Sequence, residues 1–149
     1  MRQFEVCRTY ADKSVNITLP TRATGRSAGY DFRCLEGFTV EPGKTYLLKT
    51  GIKARMDDDD VLLIFPRSSL AVKKGLRLTN SVAVIDADYY GNERNDGEIM
   101  ISLFNFTDSP VTIEADERIA QGIFIKYGIT DDDAASGVRQ GGYGSTGTK

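Results

Sequence analysis

Histidine is absent from the 149-residue sequence. Without imidazole there is no Ser-His-Asp or Cys-His nucleophile system, no H-E-x-x-H zinc site and no histidine general base. The zinc-deaminase pattern, H-x-E with P-C-x-x-C, is excluded on the same ground. Acid–base chemistry must then rest mainly on carboxylates. Cysteine is scarce as well. Cys7 and Cys34 lie far apart and form no C-x-x-C, which reads as two reduced thiols in a cytosolic protein. No apolar run approaches the roughly 20 residues of a membrane span, and Met1-Arg2-Gln3-Phe4 leads into nothing like a signal-peptide core. A formal net charge of −2 and a pI near 5.2 provide no overall field to gather nucleic acid. An anion site must be local, built from a few cationic side chains and backbone N–H groups. The expectation is a cytoplasmic protein with no nucleic acid and no membrane as partner.

What is present is a succession of short strands in a chain long enough for one domain with its own core. Phe38-Thr39-Val40 alternates, residues 41–44 are a turn signal, and Tyr46-Leu47-Leu48 resumes the apolar run. Residues 52–56 alternate again, and 61–65 form a buried-strand candidate. Residues 76–78, 82–85, 99–106, 111–113 and 119–127 complete the series. Such spacing, broken by Gly, Pro, Asn and Asp, points to a sandwich, jelly roll or barrel. Only residues 68–74 read as helix, with Ser68 as N-cap and Gly75 as stop. The acidic run 57–60 lacks the spaced ligands and glycine of a calcium loop and reads as a solvated turn. Beyond residue 128 the chain becomes polar, small and glycine-rich. The division expected is a β domain over 1–128 and a flexible arm over 129–149.

Three stretches carry chemistry. "GYGSTG" at 142–147 imitates a dinucleotide fingerprint, but no helix can follow it. Its backbone N–H groups, with Ser145 and Thr146, can still wrap phosphates, and Tyr143 can cover a base by stacking. "PRSSLAVKKG" at 66–75 sets Arg67 and two serines at the opening of the helix, where an anion is favoured. "VIDADYYG" at 84–91 places Asp86 and Asp88 two positions apart, on one face if the strand continues. Two such carboxylates can bind Mg²⁺, or one can act as general base beside the other. The plain alternative is a hairpin turn capped by aspartate.

In order along the chain, "SAGYDF", "PRSSLAVKKG", "NSVAVIDADYYG", "ERIAQGIF" and "GGYGSTG" resemble the motifs of the homotrimeric dUTPase family. The resemblance implies a distorted jelly-roll, β-clip fold with one short helix, and cleavage of dUTP to dUMP and pyrophosphate by water attack on the α-phosphorus. It gives Asp86 the role of general base, with Asp88 as support. Asn80 and Met100 then line the uracil pocket, and Tyr89 packs under deoxyribose. Arg67, Ser68, Ser69 and Gln121 meet the phosphates. Asp31 holds Mg²⁺ through water, and Tyr143, Ser145, Thr146 and Arg139 come from the arm. It further implies a homotrimer in which the arm of one subunit closes the site of another.

Four departures stand out. Ala83 replaces the usual glycine, Ser69 stands where the family often has glycine, and Arg139 sits one residue closer to the glycine pair than usual. Residues 92–97 form an insertion suited to a protein partner. Two alternatives accompany this reading: a dCTP deaminase of the same fold, and a nucleotide-responsive regulatory binding protein.

Overall fold

The computed structural model describes residues 1–12, 15–139 and 141–142. Its strands are β1 (Gln3–Val6), β2 (Thr21–Arg22), β3 (Tyr30–Arg33), β4 (Phe38–Val40), β5 (Thr45–Lys49) and β6 (Ile52–Arg55). They continue with β7 (Asp60–Pro66), β8 (Leu76–Leu78), β9 (Ala83–Asp86), β10 (Met100–Asn105), β11 (Val111–Ile113) and β12 (Arg118–Lys126). Two short helices, α1 (Arg8–Ala11) and α2 (Ser68–Lys74), and a 3₁₀ turn at Ala87–Tyr89 complete the elements.

Alternation decides which faces turn inward. In β7, Leu62 and Ile64 are fully enclosed while Val61 and Leu63 are half-buried, the period-2 pattern of a strand covered more on one side. The same holds for Ile101 and Leu103 of β10. β7 lies inside the five-stranded sheet β2-β3-β12-β7-β9; a second sheet runs β5-β10-β8, and β1 with β6 and β4 with β11 form pairs. All these ladders are antiparallel. The turn at residues 41–44 is a corner rather than a hairpin, since β4 pairs with β11 and β5 with β10. Gly122 in β12 is required by packing: a Cβ there would come 2.8 Å from the Phe32 ring and 3.0 Å from Leu62. This is the all-β, jelly-roll-like architecture expected. No helix among the described residues is long and apolar enough to cross a membrane.

Three local expectations are corrected. The N-cap of α2 is Arg67, not Ser68, and no side chain caps it; Ser68 is already helical, and Gly75 at φ +69° ends the helix as expected. The acidic turn is solvated only in part. Asp60 is buried and receives two bonds from Arg2, at 2.9 and 2.6 Å, while Lys126 pairs with Asp59 and the N-terminus with Asp57. The Arg2 bond, against the opposing effect of burial, holds the Asp60 carboxyl well below the usual range. Finally, β1, β2, β3 and the single-turn α1 add to the elements read from the sequence. β1 pairs with β6 and sends Phe4 among the rings of Tyr30, Phe32 and Phe124, with centroids 5.3, 5.5 and 5.3 Å away. Cys7 and Cys34 are free and buried, and burial pushes the Cys7 thiol up to about 12.

Candidate active site

Several of the residues named from the sequence collect at two places, one at each end of β7. At its C-terminal end the chain passes Pro66 and enters α2 at Arg67 and Ser68. β12 sets Gln121 between Phe65 of β7 and Asp31 of β3. Asp31 carries two arginines: Oδ1 lies 3.2 Å from Arg67 Nε, and Oδ2 accepts from Arg118 Nη1 at 3.1 Å. Gln121 leans over the first-motif backbone, so close that a Cβ on Gly29 would meet its Oε1 at 2.5 Å. Ser68 and Ser69 are exposed in the first turn of a helix with no side-chain cap, so their N–H groups face outward to an anion. Two guanidinium groups against one carboxylate leave a net positive corner. Arg118 was not singled out in the sequence, where it is one of several arginines beside a strand; only its pairing with Asp31 distinguishes it.

At the other end, Asp86 closes β9 opposite Val61. The chain then leaves the strand. Residues 87–89 wind into the 3₁₀ turn, so Asp86 and Asp88 do not share a strand face as expected. They converge nevertheless. Arg139 places Nε 2.6 Å from Asp88 Oδ1 and its Nη2 on Asp86 Oδ2. The Asp88 bond, ahead of the cost of burial, makes this guanidinium hold its proton more tightly. Arg139 thus lies with the carboxylate pair rather than at the Arg67 corner. A cleft of about 620 Å³ opens beside it, lined by Asp88, Tyr90, Glu93, Arg94 and Val138 among others.

Tyr89 ends the 3₁₀ turn and is only 5% exposed. Its hydroxyl donates to the Glu98 carbonyl at 3.0 Å and accepts from Asn95 Nδ2 at 2.6 Å. Gly142 of the arm rests on the ring, where a Cβ would come 2.5 Å from Cε2. Asn80 is exposed in the turn after β8, where Ser81 adopts φ +65° and Val82 N donates to Asn80 O at 2.7 Å. Met100 opens β10, whose Leu103 pairs with Leu78, so Asn80 and Met100 flank one ladder. Ala83 is buried opposite Ile64.

The insertion is folded inward. Asn92, Asp96 and Gly97 are buried, leaving Glu93 and Arg94 exposed. Asp96 accepts from Lys53 Nζ at 2.8 Å and from the backbone N and Nε of Arg8 at 2.8 and 3.0 Å. Burial alone would raise the Asp96 carboxyl; the Lys53 and Arg8 bonds outweigh it and hold the group below the usual range. Tyr143, Ser145 and Thr146 lie outside the described residues.

This arrangement of motifs has known counterparts. The dUTPase family model matches residues 15–147. The chain belongs to the dUTPase family. The Lactococcus lactis deoxyuridine 5'-triphosphate nucleotidohydrolase is 45% identical over 149 residues, covering 99% of this chain and 98% of its own. The Histophilus somni (strain 2336) enzyme is 40% identical over 139 residues, 88% of each chain. A crystal structure of dUTPase from Streptococcus mutans superposes with a TM-score of 0.78 at 44% identity, covering 86% of this chain and 98% of that one. The chain is accordingly a dUTP diphosphatase, a hydrolase of nucleotide metabolism acting on dUTP. The deaminase alternative has no support in these matches.

Proposed function

We propose that dUTP is cleaved in a site assembled between copies of the chain, with Asp86 from one copy and the Arg67–Ser68 corner from another. The supporting observation is the separation along β7. Asp86 lies opposite Val61, and Arg67 follows Pro66 at the strand's other end. Six residues of strand at about 3.3 Å each span roughly 20 Å. A general base must approach the attacking water to about 3 Å, and that water the phosphorus to a similar distance. One copy therefore cannot bring its own Asp86 to the α-phosphate held at its own Arg67. The homotrimer implied by the family resemblance meets this requirement.

In this reading Asp86 takes the proton of the water that attacks the α-phosphorus, and pyrophosphate leaves. Phosphoryl transfer relies on positioning and charge neutralisation, so the absence of histidine is no obstacle. Arg67 and the first-turn N–H groups of Ser68 and Ser69 cradle the phosphates, with the Gln121 amide beside them. The 2.6 Å bond to Arg139 holds Asp88 close to the base. Arg139 must leave Asp86 before that carboxylate can accept a proton, and the phosphates are the anion that draws it off. Asn80 and the turn around it read the uracil edge, Met100 lines the pocket, and Tyr89 floors the deoxyribose. Tyr143, Ser145 and Thr146 close the site from the arm over 129–149.

Once the triphosphate offsets its two arginines, Asp31 suits a hydrated Mg²⁺. Its carboxylate has about four lone-pair directions, of which the two arginines use two, leaving acceptors for the water of an ion that dehydrates reluctantly. When bound, the ion neutralises charge developing on the phosphate oxygens. The test of the base is Asp86→Asn assayed by pyrophosphate release from dUTP with Mg²⁺. The expected result is a loss of about 10²–10⁴-fold in kcat with dUTP still bound; an undiminished kcat would remove Asp86 from the chemistry.

A further inference from the structure

The 92–97 insertion is a hydrogen-bonded, largely buried loop with one polar side chain, Asn95, bonded to Tyr89. Gly97, at φ +79°, lies so close to the preceding turn that a Cβ would come 2.5 Å from the Tyr89 carbonyl oxygen and 3.0 Å from Gly91 N. Asp96 N donates to Asn92 O at 2.7 Å, Gly91 N to Asp96 O at 3.2 Å, and Glu98 N to Asn95 O at 3.1 Å. Asp96 ties the loop to Lys53 and Arg8. Within this frame the orientation of the Asn95 amide is determined. Its Oδ1 accepts from Gly97 N at 3.1 Å, so Nδ2 must be the end that faces the Tyr89 hydroxyl at 2.6 Å. The hydroxyl has one proton, which it donates to the Glu98 carbonyl; it can only accept from Asn95. Burial raises the Tyr89 pKa above its ordinary value, which keeps that proton in place. The result is a one-way chain from Gly97 through Asn95 and Tyr89 to Glu98.

We propose that Asn95 is a positioning residue that sets the ring of Tyr89 and thereby the preference for deoxyribose over ribose. This rests on the reading of Tyr89 as the floor beneath the sugar. Tyr89 lies three residues beyond Asp86 on a turn, not a strand, and no ladder restrains its ring. Packing in the core and under Gly142 confines the ring, and Asn95 and Glu98 fix its tilt by gripping the hydroxyl from two sides. With the Asn95 donor gone, the ring pivots on one bond, and space opens for a 2′-hydroxyl.

The experiment measures kcat and KM for dUTP and UTP with the full chain. Asn95→Ala is expected to lower the dUTP-over-UTP ratio of kcat/KM about five- to tenfold, the effect of one hydrogen bond to a buried group. Asn95→Asp keeps the acceptor for Gly97 N in nearly the same shape but lacks the donor, so it loses the same discrimination even if the alanine variant folds poorly. In a Tyr89→Phe background, Asn95→Ala should add nothing, because the bond it removes is already missing. A wild-type ratio in both Asn95 variants, or a full additional effect in the Tyr89→Phe background, overturns the proposal. Tyr89→Ala separates the two levels of the argument. If it keeps the wild-type ratio, the sugar-floor reading itself fails. If its ratio collapses while the Asn95 variants keep theirs, only the role of Asn95 fails.

Discussion

At one end of β7, Asp31 spans Arg67 and Arg118, all three anchored on or beside strands of one sheet. At the other, Asp86 and Asp88 lean on a single guanidinium that arrives from 53 and 51 residues away. The first cluster is a property of the folded sheet, with its positive corner ready for an anion. The second depends on where the arm lies, because Arg139 belongs to no strand or helix. Under the proposed roles, a site whose phosphate end is fixed by the sheet and whose Asp86 end leans on a residue of the arm can separate substrate capture from turnover. Bracing differs too: the loop behind Tyr89 is anchored by a buried Asp96–Lys53 pair, whereas the two arginines on Asp31 are partly exposed.

After loss of the Asp86 base, breaking the binding end should have the largest effect. In the proposed site, Arg67→Ala removes a charge-assisted contact to the phosphates, and it leaves Asp31 with one arginine. We expect KM for dUTP to rise about ten- to a hundredfold with a smaller change in kcat. A fall confined to kcat would move Arg67 from binding to chemistry. Asp96→Ala strikes the bracing of the other end. It strands the largely buried ammonium of Lys53, at a cost of about 3 kcal/mol, visible as a lowered midpoint in urea. A midpoint within error of wild type would mean that water replaces Asp96 without loss.

The smallest effect is on acid stability. Asp60 and Asp96 both have carboxyl pKa values depressed in the folded chain. Their contribution is therefore present above the unfolded carboxylate value, near 4, and is lost as pH falls through the lower folded values. The melting temperature should decline below about pH 4, and less steeply in Asp96→Asn, which starts lower at neutral pH. An equally steep decline in that variant would exclude Asp96 as a contributor.

The strand succession from Phe38 to Tyr127 is legible because each strand is an alternating or short apolar run bounded by turn residues. β1 is not: four residues with two inward apolar side chains become a strand only through β6 and the rings around Phe4, contacts no local pattern announces. The sequence shows the Asp86–Asp88 pair but not its geometry, since alternation predicts a continuing strand where the chain turns at Ala87. The residue roles came from motif order, and the two-ended layout required the register of β7 with β9. Asn95 appeared in the sequence only as part of an insertion; its role depends on Gly97 bringing the loop back against Tyr89.

The measurement that tests the shared site most directly is complementation. Arg67→Ala and Asp86→Asn chains would be unfolded together, refolded as a mixture and assayed for pyrophosphate release at dUTP well below the wild-type KM, where each is impaired alone. If each site joins Asp86 of one copy to Arg67 of another, random assortment leaves about one site in four with both residues intact, and activity should return to a comparable fraction of wild type. If the mixture is no more active than the average of the two separate variants, both residues act within one copy and the account of a site split along β7 is wrong.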